Sequence, residues 1–515
     1  MLSFLPISIV SVFYFVFLAV GLLAYYLIPK KGQWIVLLVT SGIFYFLIAD
    51  TIWTICYLII SILITWGAGL VIAKKRGTNI SKAVFIIALI LNFGMLFALK
   101  YTNFVLSNAS YFHNLFHHTN VAWSVNWPAA LGISYYTLQI TGYLIDCQWG
   151  VNEPEKNIAK LALFTSFFPQ MVSGPISRHS QLAEELFSTH RFDKANLREG
   201  ITRIVIGLAK KVLIAGQLGI FTNTIFNSND FKGIILILGF ACFIIQLYMD
   251  FSGCMDIVIG SAKCFGITMV ENFDKPFSSR TIQEFWRRWH ITLGQWLRDY
   301  IMYPILRTKL FNKWAKSLKK HNKTLSKKLP LYVAMLILWL CFGLWHGGEW
   351  HYVIEGLWFW LIIVISDLLQ PVFKKAIAVL KINTENRFWI LFQCVRTTLI
   401  FAIGNIFFFF TIKDGAMFIY NSFEPISFFH SFTTVANDIK LSLTSSFETI
   451  AICVALIMFL VLVIFEHFLG SCYLFLQKRM LIINITACLA ILLIVIIFGA
   501  YGPGYDASEF IYGGF

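Results

Sequence analysis

The sequence predicts an all-α polytopic membrane protein, and three observations carry that reading. Charged residues make up 13% of the 515 positions, against about 25% in a soluble domain. Mean hydropathy is +0.73. Apolar runs such as ISIVSVFYFVFLAVGLLAYYLI and TIAICVALIMFLVLVIF are continuous rather than alternating. Runs of that kind are long enough to cross a hydrocarbon core as helices, which takes about 20 residues, and they do not read as barrel strands.

Clear spans are expected near 9–28, 34–49, 52–73, 83–99, 233–249, 331–346, 352–369, 388–411, 449–469 and 480–499. The first reads as a retained span. It lacks a basic leader and a small-residue cleavage site before PKKG. Weaker spans fall near 128–148 and 201–226, and Lys210 and Lys211 predict a break or tilt in the second. Stretches 159–176 and 252–305 are too polar or interrupted for simple crossings. They predict re-entrant or interfacial helices, tolerated where protein or a water-filled cavity surrounds them. No Gly/Ser linker divides the chain. It reads as a single transmembrane domain, with N-terminal helices in 1–150, a core with re-entrant helices in 151–370, and C-terminal helices plus a tail in 371–515.

Charge sets the orientation. Lys30-Lys31, Lys74-Lys75-Arg76, Lys374-Lys375 and Lys478-Arg479 cap spans on one side, and the 307–328 stretch holds nine Lys or Arg and no acid. By the excess of basic residues that side is cytoplasmic. Both termini, the 100–127 loop and the 413–448 loop then fall outside. The basic stretch predicts contact with anionic lipid. An acidic partner or a phosphorylated donor is the lesser reading, and no module for nucleic acid accompanies the charge. The ten cysteines form no CxxC pair and sit mostly in apolar runs, as small hydrophobes do. Neither a disulfide frame nor a metal site is expected.

Four stretches could carry chemistry. EFWRRWHITLGQWLRDY, residues 284–300, reads as one amphipathic helix. Glu284, Arg287, Arg288, Gln295, Arg298 and Asp299 share one arc, and Phe285, Trp289, Trp296 and Tyr300 the opposite one. An interfacial helix would look the same, but His290 falls at the edge of the aromatic arc, beside apolar neighbours. WLCFGLWHGGEW ends an apolar span at His346, after Trp345 and between Gly343 and Gly347-Gly348. An ionisable group at that depth marks function, or hydrogen-bonds a neighbouring helix. The glycines allow either close backbone approach or an open path. YMDFSGCMDIVIG places Asp250 and Asp256 six residues apart, off a common helix face. Asp250 is expected to pair with an arginine of the 284–300 helix. FTSFFPQMVSGPISR breaks a short apolar helix at Pro169, Gly174 and Pro175, with Arg178 at its mouth.

FFPQMVSGPISR, DFSGCMDIVIG, ENFDKPF, EFWRRWHITLGQWLRDY and GLWHGGEW occur in the order and spacing of the membrane-bound O-acyltransferase (MBOAT) family, and the resemblance spans nearly the whole chain. It is strongest to the bacterial alginate O-acetylation branch and more distant to the D-alanyl transfer proteins of teichoic acid synthesis. The resemblance implies a ring of about 11–13 transmembrane and re-entrant helices around a central tunnel. It implies His346 as the catalytic histidine and His290 as its partner in the same tunnel. Asp250, Arg287, Arg288, Trp289, Arg298, Asp299 and Trp345 are the residues expected to support or line it. It further implies an acetyl-CoA or acyl-carrier thioester as donor with no resident cofactor, and an extracytoplasmic SGNH-type acyltransferase or a cytoplasmic acyl carrier protein as partner. The expected setting is a bacterial cytoplasmic membrane. The terminal SEFIYGGF resembles an aromatic tail of that branch, which implies Tyr512 as an acyl relay. An aromatic membrane anchor is the alternative. Where that branch often carries another histidine, this chain has Glu355, whose expected partner is His351 or a basic residue. Outside the enzyme class, buried histidines and charges also fit a proton-coupled transporter or flippase.

O-acyl transfer from a thioester asks for a base near the acceptor hydroxyl, donors or positive charge at the oxyanion, and exclusion of water. His346 suits the first role, and His290 or a backbone N–H the second.

Overall fold

Helix 79–117 continues for 39 residues, about 58 Å, well past the apolar run that announces it. In the computed structural model, which describes residues 8–49, 51–128, 131–171, 173–228, 230–443 and 445–501, all regular structure among the described residues is helical. Ten of these helices are long and apolar enough to cross a membrane. Helix Val12–Leu27 is a shorter apolar one. The polytopic all-α expectation therefore holds.

Several boundaries move, for a common reason: polarity ends an apolar run without ending a helix when the polar side chains find local partners. In the expected 100–127 loop, Ser107 and Asn108 donate back to the carbonyl of Phe104 at 3.0 and 2.7 Å, and the helix runs on to His117. The expected 413–448 loop holds helices Ile412–Phe423 and Pro425–Ser442. Helix Ile234–Cys264 passes straight through Asp250 and Asp256, so the first part of the stretch expected as re-entrant belongs to one long helix. In 159–176 the chain forms one short helix, Ile158–Ser166, followed by turns.

The chain groups into two units. Among the described residues, one takes 8–99, 126–270 and 418–501; the other takes Lys100–Val125 and Glu271–Met417.

In the first unit the core is a backbone-close pair of helices, Lys194–Leu208 and Ile234–Cys264. A Cβ on Gly207 would lie 2.8 Å from the carbonyl oxygen of Gly253, and one on Gly260 would lie 2.7 Å from that of Gly200. The two glycine pairs sit seven residues apart on each helix. Seven residues is about two turns, so the glycines of each helix share one face, and small residues there let the backbones approach closely. The approach brings together charges that no isolated apolar helix could hold. Asp256 accepts from Arg203 Nε and Lys210 Nζ, both at 2.9 Å, and Lys210 also lies 3.4 Å from Glu466. Lys211 pairs with Asp250. The break expected at Lys210-Lys211 is a π-helical stretch, Ala209–Ala215, within one long span. Its widened turn carries both lysines toward the carboxylates. The expected pairing of Asp250 with an arginine of residues 284–300 is thus corrected: Asp250 pairs with Lys211 of its own unit.

In the second unit, helix Lys309–Lys319 carries the basic stretch. It separates Leu310, Phe311, Trp314 and Leu318 from its lysines, and Leu310 is 74% exposed. This is the pattern of a helix lying in a membrane interface.

Removing Asp256 strands two buried cations. Asp256→Ala should cost about 3–5 kcal/mol and lower the thermal unfolding midpoint in detergent. Glu153→Ala, which breaks the exposed Arg76–Glu153 pair, should leave the midpoint almost unmoved.

Candidate active site

His290 stands at a break. Residues 284–300 do not form one helix. Helix Ile282–Arg288 ends, His290 adopts φ 43° and ψ 53°, and helix Ile291–Leu297 begins. A left-handed histidine costs on the order of 1–3 kcal/mol and persists only where the surroundings enforce it. Here the ENFDKPF segment does so. Asn272 Oδ1 accepts from the Thr292 N–H at 3.1 Å, the Thr292 hydroxyl at 2.9 Å and His290 Nδ1 at 3.2 Å. Asn272 O accepts from the N–H of Ile291 at 3.0 Å, and Arg288 O from that of Asp274 at 2.9 Å. Asn272 therefore caps the second helix from another segment, doing for its N-terminus what a local cap residue does elsewhere.

The break divides the expected aromatic arc. Phe285 and Trp289 stack at 5.7 Å on the first helix, and Trp296 and Tyr300 lie 5.3 Å apart on the second. Trp289 is buried against Phe273 and Phe401. The polar residues make local pairs: Arg288 with Glu284 at 2.8 Å, and Arg298 with Asp299 at 3.3 Å. Arg287 is exposed.

His346 is the last residue of helix Lys323–His346 and is 1% exposed. Its Nδ1 donates to Glu355 Oε2 at 2.9 Å. Phe342 and Phe408 stand edge-on to the ring at 4.6 and 5.2 Å. Trp345 lies 5.4 Å from the His290 ring and 5.6 Å from the His346 ring, so it bridges the two histidines. The glycines serve close approach here. A Cβ on Gly343 would meet the carbonyl oxygen of Tyr352 at 2.1 Å, and one on Gly347 the Tyr352 ring at 2.3 Å.

Sequence reasoning missed three contributors. Asn272 lay in a quoted motif, but nothing in its spacing pointed to His290. Lys100 Nζ donates to the carbonyl of Trp345 at 2.6 Å, and the Tyr101 hydroxyl donates to that of Leu344 at 2.7 Å. These two caps satisfy carbonyls that a helix end leaves without intrahelical partners. A lysine at the end of an apolar run was the available signal. His351, expected as the partner of Glu355, instead bonds the carbonyl of Phe407 at 2.6 Å and Glu349 at 3.1 Å. Tyr512 lies outside the described residues.

The two histidines are alike in one respect. Each meets an oxygen acceptor at Nδ1, so the proton sits there and Nε2 is the basic nitrogen. Burial first, and the neighbouring His346 second, hold the His290 imidazole well below its ordinary pKa. His290 is therefore neutral at pH 7. With its N–H on Asn272, the neutral ring presents Nε2 as an acceptor. His290→Asn, which tolerates left-handed backbone, should fold with near wild-type yield, whereas His290→Ala should lose yield. Detergent-extracted monodisperse protein measures the difference.

Comparison with known proteins joins this geometry to a family. Residues 152–320 match the membrane-bound O-acyltransferase family. The probable alginate O-acetylase AlgI of Pseudomonas syringae pv. tomato is 31% identical over 406 residues, covering 77% of this chain and 71% of that protein. The peptidoglycan O-acetyltransferase of Helicobacter pylori is 28% identical over 67% of each chain. The teichoic acid D-alanyltransferase of Bacillus subtilis is 29% identical over 48% of this chain and 62% of its own length. This chain belongs to the membrane-bound O-acyltransferase family and is a multi-pass O-acyltransferase.

Proposed function

We propose that this protein moves an acetyl group from cytoplasmic acetyl-CoA across a bacterial cytoplasmic membrane, for O-acetylation of an extracytoplasmic polysaccharide or cell-wall glycan. The observation that carries the proposal is His346: a buried histidine whose Nδ1–H is engaged, so that Nε2 serves as a base away from water. Nε2 takes the proton of the acceptor hydroxyl as its oxygen attacks the thioester carbonyl. The C–S bond breaks, its electron pair leaves on sulfur, and the proton passes from Nε2 to the departing thiolate. Backbone N–H groups beside the site, rather than His290, fit the oxyanion role. The neutral His290 fits as an acceptor that orients a substrate N–H or O–H.

Position on the helix supports transfer toward the outer face. Helix Lys323–His346 has 24 residues, roughly 36 Å. Its basic N-terminal end and His346 are separated by about the thickness of a hydrocarbon core, some 30 Å. With the basic end in the cytoplasm and both chain termini outside, the donor enters from one side and the acyl group leaves toward the other. The alginate O-acetylase of Pseudomonas syringae and the peptidoglycan O-acetyltransferase of Helicobacter pylori match 77% and 67% of this chain, against 46% for the D-alanyltransferase of Streptococcus thermophilus. This favours acetyl over D-alanyl, and an SGNH-type extracytoplasmic transferase as the partner that completes delivery. Tyr512, or a hydroxyl of that partner, is the first acceptor in this scheme.

Permeabilised cells given [14C]acetyl-CoA should accumulate base-labile label in envelope polymer, and cells given D-[14C]alanyl carrier protein should not. The reverse pattern would replace acetyl by D-alanyl. His346→Ala should reduce labelling by about 10²–10⁴-fold, the contribution of a general base, without loss of extractable protein. Wild-type labelling in that variant would remove His346 as the base.

A further inference from the structure

We infer that Glu355 is a positioning residue for this reaction: its carboxylate takes the Nδ1–H of His346 and so holds the ring with Nε2 toward the acceptor hydroxyl. The inference rests on His346 being the base. Glu355 and His346 lie 2.9 Å apart, with side chains 2% and 1% exposed. A carboxylate buried to that degree stays only where it is hydrogen-bonded, and His346 supplies that bond.

The backbone makes the meeting obligatory. Helices Lys323–His346 and Trp350–Leu368 touch at two glycines. A Cβ on Gly343 would fall 2.1 Å from Tyr352 O, and one on Gly356 would fall 2.3 Å from Trp339 O. Neither helix can slide along the other without driving a carbonyl into side-chain atoms. Glu355 precedes one of these contacts and His346 follows the other by three residues, so both are set at a fixed height. Lys100 and Tyr101 hold the carbonyls of Trp345 and Leu344, which steadies the final turn beneath the histidine. What remains is rotation of the imidazole. Phe342 and Phe408 wall two sides, and the hydrogen bond to Glu355 selects one ring orientation and one tautomer.

The chemistry follows. When Nε2 accepts the hydroxyl proton, the imidazolium forms beside a carboxylate that already holds the other N–H. The Glu355 carboxylate favours that charge, as in the acid–histidine pairs of hydrolases. The proton then leaves Nε2 for the thiolate sulfur. No further reactant is needed.

Two variants and one spectrum test this in the full-length protein. Glu355→Gln keeps the shape and an acceptor oxygen and removes the charge. Glu355→Leu removes both. In [14C]acetyl-CoA transfer, kcat should fall by about 10²-fold or more in each, with KM for acetyl-CoA within about twofold of wild type. A packing role would not separate kcat from KM in this way. In protein labelled with 15N-histidine, the His346 signal, assigned by its loss in His346→Gln, should show the proton on Nδ1 and lose that preference in Glu355→Leu. Wild-type kcat in a folded Glu355→Gln protein would overturn the proposal. So would a wild-type His346 protonated on Nε2, a result that stands even if the variants fail to fold. If the spectrum shows Nδ1–H on Glu355 while His346→Ala retains turnover, the base assignment fails, and the proposal fails with it. An inactive His346→Ala with the proton on Nε2 would overturn the role of Glu355 alone.

Discussion

Burying a carboxylate is costly, and the active region is arranged around the partner that makes it tolerable. Glu355 is 1% exposed. An unpaired polar group there would cost several kcal/mol. The hydrogen bond to His346 removes that penalty only if two helices come close enough and stay in register. Gly343 and Gly356 provide the approach, and the carbonyl clamps of Lys100 and Tyr101 steady the end of one helix. The same contacts that satisfy the acid fix the histidine.

The other unit meets the same constraint differently. Arg203, Lys210 and Lys211 face Asp250, Asp256 and Glu466. Positive and negative groups balance, and backbone-close glycine pairs bring the helices within reach. Such a network contributes little net stability against an apolar core of similar volume, but losing one member is severe. It therefore pins the register of two long helices that apolar packing alone would leave free to slide. The π-helical turn at Ala209–Ala215 is how two adjacent lysines both reach carboxylates.

His290 shows how much one side-chain amide can organise. Asn272 caps a helix, meets an imidazole N–H and holds a left-handed residue. The histidine it holds is bridged through Trp345 to a second histidine whose Nδ1 also meets an oxygen. Two basic ring nitrogens in buried surroundings suit proton movement better than charge stabilisation does.

By itself the sequence determined the solvent, the helical class and most spans, because continuous apolar runs and scarce charge admit few other solutions. It also singled out His290 and His346, as ionisable groups on apolar stretches, and through their neighbouring motifs the family. Helix ends at polar boundaries were not legible, since Ser107, Asn108 and Asp256 are satisfied by partners that hydropathy does not register. Nor were the partners of buried charge. Lys211 for Asp250, Glu355 for His346 and Asn272 for His290 lie 39, 9 and 18 residues away along the chain, and only the packing of helices decides which of several candidates arrives. The kink at His290 was hidden for the same reason: periodicity favoured one helix, and a cap from a distant segment made two.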